Sequence, residues 1–223
     1  MAVCNRRYGI LPTELVDMAL YSYKVARDYG FAPNPFNGIC TLATCKADIR
    51  GGAQMGDWIV GTGAKGRYNI DGRLIYAMKV TEKMTFNEYW NDPRFQLKKP
   101  HMNGSLKQTL GDNIYYRDEN SGVWHQEDSH HSYGGGETNY YNLERDTKRP
   151  YVLISNHFYY FGSKHVDIPS HLKGICIAKQ GFKKNHGLAL VNTFIEWLQD
   201  SFLPGLLGNP IQFEKFERYN GIR

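Results

Sequence analysis

The residues best suited to chemistry cluster in and around a proline- and glycine-rich stretch, residues 28–63. Asp28 and Asp57 are candidate general bases, because a positioned carboxylate can take a proton from a reacting group. Cys45 is a candidate nucleophile, since the lysine that follows it would lower the pKa of the thiol. His157, which follows a strongly apolar segment, is the alternative nucleophile or acid. These four residues predict acid–base or covalent catalysis, as in a transferase or hydrolase.

Metal and cofactor chemistry is not expected from the motifs. Phosphate-loop, dinucleotide-binding, nucleophile-elbow and zinc-deaminase patterns are all missing from the sequence. Cys40 and Cys45 have a spacing that matches no common zinc pair, and the histidines of the polar segment 125–131 match no closed zinc pattern. We therefore expect no metal and no cofactor, with a metal site at 125–131 as a minor alternative.

Composition limits the possible classes of protein. The chain has 223 residues, of which 41% are hydrophobic and 14% aromatic, which suffices for a packed core and excludes a disordered chain. The net charge of +5 permits a phosphate-bearing partner without requiring one. Four cysteines without a signal sequence favour a reducing, cytoplasmic setting, and no apolar run is long enough to suggest a membrane span.

Hydrophobic periodicity predicts a mixture of strands and helices. Strands are expected at 19–26, 39–50, 58–60, 72–84, 113–117 and 151–155. Thr85 is expected to cap a short helix that ends before Asp92-Pro93, and residues 186–203 have the spacing of a longer amphipathic helix. No serine- or glycine-rich segment or run of charges divides the chain like a linker. We therefore expect one domain over residues 19–223, preceded by an N-terminal extension at 1–18.

Three segments resemble a known family. The run LYSYKVARDYGFAPNPFNGICTLATCKADIR, the later AQMGDWIVG and the strand YVLISNHFYYFG are similar to the bacterial and phage family called nucleotide modification associated domain 2. The resemblance implies association with systems that modify or sense altered nucleotides. The order of GDWIVG, the strand GRLIYAMKV and a segment ending in WNDPRF is similar to EVE, YTH and other PUA-like domains. That second likeness implies an α+β fold with a PUA-like β-barrel, flanking helices and a C-terminal helix.

Two functions follow from these resemblances. The first is a module that binds a modified base of a nucleotide or nucleic acid between aromatic side chains, with amide or carboxylate groups reading the base edge and cations holding phosphate. Its expected contacts are stacking by Phe31, Trp58 or Tyr159, edge reading by Asn34, Asp57 or Asn156, and phosphate binding by Lys46, Arg50 and Arg94. The second is an enzyme that acts on a nucleotide or a base through Asp28, Cys45, Asp57 or His157. The residues favour the binding module by a modest margin.

Overall fold

The computed structural model describes residues 18–66 and 68–221, so the proposed N-terminal extension lies outside the described residues except for Met18. In chain order the strands are β1 (Leu20–Val25), β2 (Cys40–Leu42), β3 (Trp58–Gly63), β4 (Arg73–Lys79), β5 (Glu82–Thr85), β6 (Tyr115–Arg117), β7 (Trp124–Gln126), β8 (Tyr151–Ser155), β9 (His157–Tyr160), β10 (Val166–Asp167), β11 (Phe182–Lys183) and β12 (Gly205–Leu206). The α-helices are α1 (Ala47–Gly52), α2 (Phe86–Asn91), α3 (Leu106–Thr109), α4 (Tyr140–Thr147) and α5 (Leu188–Ser201). Short 3-10 helices occupy Pro93–Lys98, Gly134–Gly136, Gly162–Lys164 and Ser170–Ile175.

The largest sheet has the strand order β11-β1-β3-β4-β9-β12, with β10 paired to β4. Strands β1 and β3 are parallel, and the chain between them contains β2 and α1. A second sheet has the order β2-β8-β5, and β6 with β7 forms a separate hairpin. The described strands form open sheets and no closed barrel, so the expected PUA-like barrel is not found, although the mixed character of the fold is confirmed.

The central strands β1, β3, β4 and β9 of the large sheet are buried on both faces. Side chains along a strand point alternately to opposite faces, so each strand contributes to two cores. Within β3, Trp58 and Val60 belong to the hydrophobic core that also contains Phe194 of α5. Ile59, between them, belongs to a second core on the other face, together with Tyr23. This two-sided burial explains why β3 reads as a continuously apolar segment rather than an alternating one.

Several local predictions are confirmed. Helix α2 begins after Thr85, whose side chain accepts a hydrogen bond from the backbone of Glu88 in a capping box, and it ends before Asp92. Helix α5 and strand β8 lie where periodicity placed them. Among the described residues, no helix has both the length and the apolar character needed to cross a membrane.

The segment 39–50 is the clearest departure from the sequence prediction. A strand was expected throughout, but β2 ends at Leu42 and α1 begins at Ala47. The residues between them form a turn with left-handed backbone at Cys45 and Lys46, which ends extended structure. This turn places the candidate nucleophile between two regular elements.

Candidate active site

Cys45 lies in the sharp turn between β2 and α1. The backbone φ angles of Cys45 and Lys46 are 56° and 40°, both in the left-handed region. Residues with a side chain adopt this region rarely, and such conformations concentrate where a structure holds a functional group in place. The turn therefore supports Cys45 as a functional residue.

Arg50 fixes this turn from the interior of the protein. Its side chain is fully buried, and Nε donates to the carbonyl oxygen of Cys45 at 2.8 Å. Nη2 donates to the carbonyl oxygen of Asp146 at 2.5 Å, and Nη1 donates to the carbonyl oxygens of Arg149 and Tyr151. One guanidinium group thus joins the cysteine turn to the C-terminal end of α4.

A thiol, an imidazole and a carboxylate contact one another in succession at this point. The Sγ of Cys45 is 3.9 Å from Nε2 of His131, and Nδ1 of His131 is 2.7 Å from Oδ2 of Asp146. His131 and Asp146 are buried, whereas Cys45 is partly exposed. A nucleophile, a base and a group that orients the base are the parts of a catalytic triad. We call these three residues the thiol site.

Asp146 is held by donors at both carboxylate oxygens. Oδ1 accepts from the backbone N–H of Cys45 at 2.9 Å and from Nε of Arg145 at 3.3 Å. Oδ2 accepts from the hydroxyl of Tyr115 at 3.1 Å as well as from Nδ1 of His131. Because an ionised carboxylate only accepts, Nδ1 carries a proton, and Nε2 is the nitrogen that exchanges a proton with the thiol.

The backbone of His131 is fixed as firmly as its ring. Its carbonyl oxygen accepts from Nε2 of Gln126 at 3.1 Å and from Nδ2 of Asn142 at 2.9 Å. The same Gln126 nitrogen lies 3.2 Å from the hydroxyl of Tyr115, which in turn contacts Asp146. Strand β7, strand β6 and helix α4 therefore position the imidazole together.

Electrostatics favour a thiolate–imidazolium pair. Burial raises the pKa of the Cys45 thiol, but the charge of His131 opposes this effect, and the net result is a pKa below the ordinary value. Burial lowers the pKa of His131, but Asp146 and Cys45 raise it, and the result is about 9. Burial also acts to raise the pKa of Asp146, yet the charge of His131 holds it well below its usual range. A thiolate is the reactive form of cysteine, so the lowered pKa of Cys45 favours its reactive form.

The thiol site opens onto a cavity of about 370 Å³, a volume in the range of small-molecule pockets. Its aromatic lining comprises Tyr23, Tyr29, Phe31, His130, His131 and Tyr219. An adjoining cavity of about 350 Å³ shares Arg27, Tyr29, His130 and Tyr219 with it. Tyr219 belongs to the C-terminal segment, and its backbone N–H donates to the carbonyl oxygen of His130 at 2.7 Å. We call these two adjoining spaces the thiol cavity and the side cavity.

His130 sits between the two cavities as a neutral imidazole. Burial and then the neighbouring charge of His131 lower its pKa to about 3. Its Nδ1 is 2.5 Å from the carbonyl oxygen of Glu217, which can only accept, so Nδ1 carries the proton. The Nε2 of His130 is therefore an acceptor. Two adjacent histidines thus line the thiol cavity, one neutral and one protonated.

The thiol site is also the cluster of potential metal ligands found among the described residues. Asp146, however, contacts His131 at Nδ1, on the side of the ring opposite Nε2. An ion at Nε2 and Sγ would therefore have two protein ligands, with Asp146 as their support. Structural zinc sites use four protein ligands and catalytic ones use three, so these residues fit a triad better than a zinc site.

The predicted catalytic residues occupy different places. Asp28 is buried, accepts from the hydroxyl of Tyr160 and from the backbone N–H of Ile211, and so anchors the C-terminal segment. Asp57 accepts from the backbone N–H of Gln54 in its own turn and from that of Ala19, which precedes β1, and it does not line either cavity. His157 is half-buried beside Trp58. Of the four candidates, only Cys45 lines the thiol cavity.

The predicted binding residues are also divided. Phe31 and Lys46 line the thiol cavity, and Arg50 supports it from behind. The remaining residues lie elsewhere: Asn34 is buried against Lys98, Trp58 stacks on Tyr159 in the core, Arg94 is exposed and paired with Glu82 and Asp92, and Asn156 is exposed after β8. The structure therefore does not bring the proposed base-reading and phosphate-binding groups together as one set.

Two members of the thiol site, and Arg145 beside it, are not among the sequence predictions as catalytic or binding groups. His131 was considered only as a minor metal ligand, and Asp146 and Arg145 were not considered. Their separation from Cys45 along the chain gives no spacing signal, because the contact forms only in the folded protein. A useful signal was Asn139, whose side chain accepts from the backbone of Asn142 and caps α4, the helix that carries Asp146.

The fold and the site define a mixed α/β protein with a cysteine–histidine–aspartate arrangement at a cavity. Residues 17–217 match the family model described as nucleotide modification associated domain 2, and the chain belongs to this family. The main resemblance noted in the sequence is therefore confirmed, whereas the likeness to EVE and YTH domains is not. Comparison with curated proteins and with solved structures gives no match. Family membership connects the protein with nucleotide modification.

Proposed function

We propose that the protein is a thiol-dependent acyl-transfer enzyme in nucleotide modification, with water or an amine as acceptor and Cys45 as nucleophile. The observation that carries this proposal is the 3.9 Å approach of Sγ of Cys45 to Nε2 of His131 at the wall of a cavity. Family membership supports the nucleotide context. A module that only binds a ligand has no need of a thiol whose pKa is lowered by a buried imidazole and carboxylate.

In the first half-reaction the Cys45 thiolate attacks the carbonyl carbon of an ester or amide. The C–S bond forms, the bond to the leaving group breaks, and the His131 imidazolium gives its Nε2 proton to the leaving group. In the second half, neutral His131 takes a proton from the acceptor as the acceptor attacks the thioester. The thiolate then leaves and the ion pair is restored. Asp146 holds the imidazole in one tautomer throughout.

The test uses p-nitrophenyl acetate as an activated acyl donor, with release of p-nitrophenolate followed by absorbance and the acetyl group located by peptide mass spectrometry. We expect a burst of about one equivalent and an acetyl group on Cys45. Cys45→Ser should remove the burst, and Cys176→Ser, which changes another partly exposed cysteine, should retain it. Acetylation spread evenly over the cysteines, or absent from Cys45, would contradict the proposal.

A pH profile of the same burst tests the ion pair. Wild-type reactivity should persist below about 8.5, the ordinary pKa of a thiol, and fall only as the pH passes down through the lowered pKa of Cys45. In His131→Asn the opposing charge is gone and burial raises the thiol pKa, so the rate should rise only above about 8.5. A chelator such as EDTA should change neither profile, whereas loss of the burst on chelation would favour a metal site.

A further inference from the structure

The charged side chains that line the thiol cavity are basic. Four basic side chains line it in addition to His131, namely Lys24, Arg27, Lys46 and Arg145. No aspartate or glutamate occurs among the described residues that line it. A cavity whose walls carry one sign of charge attracts ligands of the opposite sign, and the low dielectric of its walls strengthens the field.

The four cations differ in whether other groups of the protein already contact their positive charge. Nζ of Lys24 is paired with Asp71 at 2.7 Å, and Nζ of Lys46 lies over the ring of Tyr23 at 4.5 Å. Arg27, by contrast, has no carboxylate within ion-pair distance among the described residues. Its guanidinium lies over the ring of Tyr219, at 4.4 Å from the centroid.

Arg145 is paired with Asp146 but retains a donor that the protein does not use. Its Nε contacts Asp146, but its Nη2 is buried and has no hydrogen-bond partner among the described residues. A buried donor without a partner costs free energy unless a ligand or water satisfies it. The guanidinium of Arg145 is 5.6 Å from the same Tyr219 centroid that Arg27 covers. Two arginines thus lie close to one ring at the thiol cavity.

We propose that Arg27 and Arg145 form a subsite for the phosphate group of the substrate, next to the Cys45 thiol; the inference rests on the proposed function and extends it. Planar guanidinium groups offer paired donors that match the oxygens of a phosphate. The aromatic walls at Tyr29, Phe31 and Tyr219 supply stacking faces for a base in the same space. The substrate class is therefore a phosphorylated nucleoside, either free or at the end of a nucleic-acid strand.

Binding is measured with the Cys45→Ser protein, so that no chemistry takes place and the acylation test remains independent. Isothermal titration compares a panel of 5′-mononucleotides with the matching nucleosides, with inorganic phosphate as a competitor. We expect at least one mononucleotide to bind at least tenfold more tightly than its nucleoside, and phosphate to weaken its binding. A short 5′-phosphorylated oligonucleotide forms a further arm. Tighter binding of this strand assigns the subsite to a strand end, and tighter binding of the mononucleotide assigns it to a free nucleotide.

The decisive variant is Arg27→Gln, with Lys24→Gln as its matched control in the same cavity. Arg27→Gln should reduce mononucleotide affinity about tenfold and leave nucleoside affinity unchanged, whereas Lys24→Gln, whose charge Asp71 already compensates, should change affinity less than threefold. Arg27→Lys should restore part of the loss. Equal binding of mononucleotide and nucleoside, no binding of any probe, or an unchanged preference in Arg27→Gln would overturn the subsite, even if Cys45 still forms an acyl-enzyme.

Discussion

Two regions of the protein each place a histidine beside aromatic rings, yet they are built differently. One is the thiol site, and the other is the tryptophan cluster, which we define as Trp58, His157 and Tyr159. In the tryptophan cluster, His157 contacts the hydroxyl of Tyr159 at 3.2 Å and packs edge-on against Trp58. No carboxylate faces it among the described residues. Burial and the charge of Lys79 lower the pKa of His157, whereas the pKa of His131 is raised to about 9.

The difference lies in the partners rather than in the residue types. Asp146 supplies the negative charge that keeps His131 protonated, and the cavity gives the neighbouring thiol access to a substrate. Trp58 instead is 1% exposed and shares its hydrophobic core with Phe194 of α5. An aromatic cluster that is closed by a helix stabilises the fold, while a polar cluster that opens onto a cavity has groups left to react.

The largest effect is expected at Trp58, in the tryptophan cluster. Replacing Trp58 by Ala should lower the free energy of unfolding by about 3–5 kcal/mol, because a large buried side chain leaves a cavity behind. Urea denaturation measures this loss, and Trp58→Phe should lose less. The rate of Cys45 acetylation per folded molecule should remain at the wild-type value. A stable Trp58→Ala protein that no longer binds nucleotides would instead make Trp58 a ligand contact.

A second pair of variants compares the two histidines directly. His131→Asn should lower the rate of Cys45 acetylation at pH 7 roughly a hundredfold, because the imidazolium that stabilises the thiolate is removed. His157→Asn, an identical change in the tryptophan cluster, should alter the rate less than twofold. The burst kinetics of the two variants are read side by side at equal folded fraction. Equal losses in both would show that the effect arises from general destabilisation.

The sequence made the regular elements predictable where local signals agree. Thr85 and Glu88 form the capping box that starts α2, and the apolar spacing of α5 matches its buried face. The continuous apolar run of β8 marks a buried strand. In each case the information lies within a few residues of the chain, so no tertiary contact was needed to find it.

The thiol site could be predicted only in part, for a physical reason. Cys45 was identifiable from its residue type and its neighbouring lysine, but its left-handed backbone is imposed by contacts such as the one from Arg50. His131 and Asp146 reach Cys45 through the packing of β6, β7 and α4. The same limit explains why the sequence led to a barrel that the structure does not contain among the described strands. Strand order within a sheet depends on pairings between distant segments, which local patterns do not reveal.

The smallest effect is expected at Arg94, which extends the comparison from histidines to arginines. Both arginines are exposed, but Arg94 is already paired with Glu82 at 2.9 Å and with Asp92 at 2.6 Å, whereas Arg27 lines the thiol cavity without such a partner in the described part of the chain. Because exposed ion pairs contribute little, Arg94→Gln should change the free energy of unfolding by less than about 1 kcal/mol. Mononucleotide affinity should stay within twofold of wild type in the titration that detects Arg27→Gln. A tenfold loss at Arg94 would move phosphate binding away from the thiol cavity and onto the surface beside α2.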